Sequence, residues 1–207
     1  IVDRASTTDI KVFRVFPEFA FVVPTATKLT TNDAVITFTV TAKGLPDSKL
    51  FFDNEAVASG SIRFEVVASG VGANADPAFT VRDASDNSVV DTGTIDNAAT
   101  TAPRASLSID FGNNGTGKDI EISGGGSKTL RIFLDTITDF NTPINTNAGI
   151  AADYFQLVLR DEDDGTYDVV TWVTNATNKV TGADGDALHV AGFLRLLPMA
   201  GYQFTAQ

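Results

Sequence analysis

Ala34-Val35-Ile36-Thr37-Phe38-Thr39-Val40-Thr41-Ala42-Lys43 alternates between apolar and polar residues. Ala34, Ile36, Phe38, Val40 and Ala42 fall on one side, and Thr37, Thr39 and Thr41 on the other. That two-residue period belongs to a strand with one face in a core and the other toward water. Ser61–Ser69 repeats it, with Ile62, Phe64, Val66 and Ala68 inward and Arg63 and Glu65 outward. Arg104–Phe111, Lys128–Asp135 and Asp153–Asp161 follow the same rule. Shorter candidates are Phe79–Arg82, Val89–Ile95, Ile120–Ile122, Tyr167–Val173 and Leu188–Leu197.

Gly, Asn, Asp and Ser clusters separate these runs, as at Asp83–Ser88, Gly112–Gly117 and Asp161–Gly165. No segment holds an i, i+3, i+4, i+7 apolar pattern for three turns. Single helical turns near Asn147–Tyr154 or around Val57 are the best chances. The expected fold is therefore all-β: an antiparallel β-sandwich, jelly-roll or Ig-like, with an extended N-terminal strand. Phe38, Phe64, Leu107, Ile109, Ile132, Leu157 and Leu159 should form its core.

The chain of 207 residues suits one large domain with a core of its own. Its net charge of −11 argues against a nucleic-acid partner, which needs clustered Lys and Arg. With no cysteine, disulfide scaffolds, thiolate metal sites and cysteine nucleophiles are excluded. His189 is the single histidine, so multi-histidine metal sites are excluded too. It lies at the start of an apolar run, where a structural or surface role is expected. No apolar run approaches the ~18 residues of a membrane helix, so no span is expected. The chain begins at Ile1 rather than Met, which is expected of a processed or trimmed end whose export signal has already gone.

Working outward toward the N-terminus, Asp9–Pro24 reads DIKVFRVFPEFAFVVP. Phe13, Val15, Pro17, Phe19, Phe21 and Val23 share one face. At ~3.3 Å per residue such a strand spans roughly 45–50 Å, longer than the usual five or six residues. Pro17 removes a ladder donor, so the strand must lie at an edge, bend or bulge there. Two readings follow. In one, residues 1–24 are an arm separate from a domain at 25–207, and Phe13, Val15, Phe19, Phe21 and Val23 enter a neighbouring subunit as a donor strand. In the other, this is an ordinary first strand split at Pro17 and packed within its own sheet.

A processed end, this long apolar N-terminal strand and a cysteine-free, acidic, Thr/Gly/Asp-rich β domain together resemble extracellular, pilus-like filament subunits assembled by donor-strand complementation. The resemblance lies in overall organisation and not in a motif. It implies a structural, non-enzymatic subunit at the cell surface, polymerising head to tail with copies of itself. The alternative is a secreted carbohydrate-binding or adhesive β-sandwich with glycans as partners. A secreted hydrolase would need a carboxylate pair in a cleft, and most acids here fall in turns or on polar strand faces.

Asp161-Glu162-Asp163-Asp164-Gly165-Thr166-Tyr167-Asp168 joins two strand candidates. Asp161, Asp163 and Asp168 are the residues placed to wrap a hard cation such as Ca²⁺. A solvated turn, where Asp and Gly are favoured anyway, is the other reading. No other cofactor is implied. Asn114-Gly115-Thr116 and Asn175-Ala176-Thr177 are glycosylation sequons in expected turns, Asn114 and Asn175 being the acceptors of a glycoprotein. Ser123-Gly124-Gly125-Gly126-Ser127-Lys128 lacks phosphate-loop spacing and reads as a flexible hairpin tip. Trp172, Tyr154, Tyr167 and Tyr202 are expected in core or interface packing.

Overall fold

The computed structural model describes residues 15–24, 33–52, 54–55, 58–59, 61–69, 78–95, 106–111, 119–135, 154–159, 170–171 and 199–205. In chain order the strands are β1 Val15–Val22, β2 Ile36–Gly44, β3 Lys49–Phe52, β4 Asn54–Glu55, β5 Ala58–Ser59, β6 Ser61–Ser69, β7 Ala78–Asp83 and β8 Val89–Thr94. They continue with β9 Ser106–Asp110, β10 Ile120–Ser123, β11 Ser127–Leu134, β12 Tyr154–Leu159, β13 Val170–Thr171, β14 Met199–Ala200 and β15 Phe204–Thr205. Among the described residues there is no helix, and all pairing is antiparallel. The helical turns considered near residues 147–153 and Val57 lie outside the described residues.

One sheet has the order β1-β2-β11-β7-β8. In the other, β6 carries β9 on one flank and β12 and β13 on the opposite flank, with β14 and β15 along the far side of β12. The apolar halves of the alternating runs supply the buried faces. Phe38 on β2 meets Phe64 on β6 edge to face, with centroids 5.4 Å apart. The seven residues expected in the core are all buried. Thr37, Thr39 and Thr41 stand half-buried on the opposite face of β2, where Thr39 and Thr129 share a hydroxyl hydrogen bond of 2.8 Å.

The glycine run at Ser123–Ser127 is not a hairpin tip. β10 and β11 do not pair with each other; β10 pairs with β3 and β11 with β2. The β2–β11 ribbon turns a corner there and continues as β3–β10. The corner is held by backbone N–H groups, Gly125 donating to the Ala42 carbonyl at 2.7 Å and Gly124 to Ser48 at 2.8 Å. A side chain at Gly124 would place its Cβ 2.0 Å from the Leu45 carbonyl oxygen, so backbone meets backbone with no room for one. Gly125 has φ +81°, the left-handed region that glycine enters at no steric cost. The ribbon then covers the end of the core through Leu50, Phe52, Ile120 and Ile122, with Phe52 packed on Phe111 at 5.0 Å.

Between β14 and β15 the pairing with β12 gains one residue, a bulge. Gly201 donates to the Leu157 carbonyl at 2.8 Å, and the Gln156 side-chain amide donates to the Gly201 carbonyl at 2.8 Å. A Cβ on Gly201 would stand 3.0 Å from the Ile36 methyl, so glycine here admits close approach of the two sheets. Along the opposite side, buried Asp91 on β8 joins the two sheets. One carboxylate oxygen accepts from the Asp110 N–H of β9 at 2.9 Å and the other from Thr92 N–H at 2.8 Å.

Candidate functional site

β1 lies at the edge of its sheet, and among the described residues its only ladder partner is β2. Pro17 therefore sits where a missing donor is tolerated. Alternation fixes which side chains enter the core. Val15, Pro17 and Phe19 are buried, and Phe21 is half-buried. The Phe19 ring lies 6.4 Å from Phe38, and the Phe21 ring 6.4 Å from Phe64. With Phe38 on Phe64, four rings run as a chain from Phe19 on β1 through β2 to β6 in the second sheet and back to Phe21 on β1. The apolar face then runs out. Val22 is 50% exposed and Val23, beyond the strand, is 80% exposed. Phe13 and Arg14 lie outside the described residues.

The outward face of β1 is mixed: Phe16 is half-buried, Ala20 and Val22 are exposed, and Glu18 is its one charged residue. Glu18 pairs with Lys43 on β2 at 3.1 Å, with both side chains nearly half exposed, which contributes at most a fraction of a kcal/mol, roughly. Attachment thus comes from the backbone ladder and the inward aromatic anchors. The link to β2 is residues 23–35. That is longer than the two to five residues, roughly, of a typical hairpin loop.

Of the remaining candidates, Asp161, Asp163 and Asp168, both sequons at Asn114 and Asn175, His189, Tyr167 and Trp172 lie outside the described residues. The acidic run falls in sequence between β12 and β13, which pair along the same flank of β6. Among the described residues, no three His, Cys, Asp or Glu side chains group as a metal site would require. Tyr202 is exposed, its ring edge-on to buried Phe204 at 5.1 Å.

Two buried carboxylates escaped sequence reading because both sit in turn or strand contexts that look solvated. Asp83 ends β7, ion-paired to Lys128 and accepting from the Ser85 N–H at 2.8 Å and hydroxyl at 2.7 Å. Burial pushes its pKa up, but the Lys128 and Ser85 bonds outweigh that and lower it to about 2. Asp91 goes the other way. Its burial raises the pKa, and the two N–H donors do not offset it.

No protein-family model, curated protein or solved structure matches the chain.

Proposed function

We propose that this chain is a non-enzymatic structural subunit of an extracellular filament, pilus or surface layer. In this reading it polymerises head to tail by placing its N-terminal strand in the sheet of a neighbouring copy. The observation that supports it is the attachment of β1: the first described strand, at a sheet edge, with β2 its one ladder partner among the described residues, inward anchors, and a connection longer than pairing with β2 needs. A single chain satisfies its own β2 edge with its own β1. A polymer makes the same contacts between copies, so the exchange leaves the bonding nearly unchanged and the connection decides where the strand goes. Full burial of Val15 and Phe19 supplies about 3–6 kcal/mol before ordering costs. Because each copy gives one strand and receives another, the contact is heterologous and propagates as a helix unless its rotation closes.

The experiment is removal of residues 1–24. The truncated chain, with the β2 edge bare, should lose stability and aggregate or stay monomeric without forming filaments. A synthetic peptide of residues 9–24 should bind and stabilise it. Unchanged stability together with indifference to the peptide would end the proposal.

A further inference from the structure

We propose that Arg82, Arg131 and the turn at Asn87 form an oxyanion-binding site on the outer face of the five-stranded sheet. Arg82 on β7 and Arg131 on β11 are directly opposite in the ladder. Like charges in that position repel and destabilise a sheet. The chain has 26 acidic residues against 15 basic ones, yet among the described residues neither guanidinium has a carboxylate in ion-pairing reach. What holds the pair is Asn87. Its carbonyl accepts from Arg82 at 3.1 Å and its side-chain oxygen accepts from Arg131 at 3.0 Å. Asn87 does this at φ +59°, a left-handed conformation uncommon outside glycine.

Arg131 is fixed from a second direction, its guanidinium 5.8 Å from the centre of the Phe133 ring. Its Nε–H is buried and without an acceptor among the described residues. Two guanidiniums are therefore held side by side at one turn, with their terminal N–H groups at the exposed surface where an anion can reach them. Forked N–H groups match the spacing of carboxylate, sulfate and phosphate oxygens, and one oxyanion between them would cancel the repulsion. Thr37 stands opposite Arg131 on β2 and adds a hydroxyl to the same row. The site does not depend on strand exchange.

The oxyanion has two sources, a free inorganic anion or a carboxylate on a second copy of this acidic chain. The test is titration of the full ¹⁵N-labelled chain with sodium sulfate, against sodium chloride at matched ionic strength, following the arginine Nε–Hε signals. The Arg82 and Arg131 signals, assigned from R82K and R131K, should shift together and saturate in sulfate only. Each lysine variant keeps the charge but loses the fork, and should weaken binding about tenfold. N87G keeps the left-handed turn and the backbone carbonyl that holds Arg82 but removes the side-chain oxygen that holds Arg131, so it should weaken binding with the fold intact even if an arginine variant does not fold. A shift that chloride reproduces, or that N87G and the lysine variants leave unchanged, overturns the site. Sedimentation then identifies the source. Self-association that falls as sulfate saturates assigns the neighbour's carboxylate, and unchanged self-association assigns the free anion. Failure of the titration leaves the strand-exchange proposal standing.

Discussion

Asp83 and Asp91 are both buried, yet their environments drive them to opposite protonation behaviour. Asp83 binds its proton less tightly when folded than the ordinary 3.8, so its stabilisation is complete above about pH 4 and is lost as pH falls toward about 2. The shift corresponds to about 2 kcal/mol. D83N should therefore lower unfolding free energy by about 2 kcal/mol at pH 7 in urea titrations, with the deficit shrinking toward pH 2. Asp91 has its pKa raised, first by burial, so its favourable contribution exists at low pH and is lost as pH rises through its folded value. Carbon-13 titration of the side-chain carboxyls should show Asp91 titrating above 3.8 and Asp83 well below it, at about 2. Neither residue was recognisable beforehand. Asp83 opens a turn that reads as solvated, and Asp91 takes a hydrogen bond from Asp110 of β9, a strand of the other sheet that the local sequence does not place.

Among the elements, β1 and the glycine corner separate contact from conformation. F19A should cost about 3–5 kcal/mol by thermal or denaturant unfolding, because a fully enclosed ring leaves a cavity against Phe38. F21A should cost visibly less, since Phe21 is only half-buried, and V23S should stay within about 0.5 kcal/mol. Equal losses at all three positions would contradict the graded burial of the strand. At the corner, G125A faces open space and bears only the left-handed penalty, about 1–2 kcal/mol. G124A must displace the Leu45 backbone and should be the worse of the two in melting temperature. Alternation located β2, β6, β9, β11 and β12 because each has one core-facing side. It passed over β3, where Leu50, Phe51 and Phe52 are all buried and no alternation exists. It also passed over β14 and β15, which a bulge interrupts after two residues.

For the whole molecule, the question is which copy supplies β1. Ala20 and Thr39 are ladder partners, and the chain has no cysteine of its own. The double variant A20C/T39C should form a disulfide that fastens β1 to its own β2. Oxidised protein should stay monomeric under conditions where reduced protein forms filaments, as electron microscopy would show. Filaments from a fully oxidised, intramolecularly linked sample would exclude exchange of this strand. The sequence by itself determined that the chain is all-β, which residues fill its core and that Pro17 needs an edge, since period-two alternation and a missing N–H are local properties. Only the tertiary structure decided the corner at Gly124, the buried seam at Asp91 and the opposition of Arg82 to Arg131. Each of these depends on register between segments far apart in the chain, and register is set by how the apolar faces of two sheets pack, which no single segment encodes.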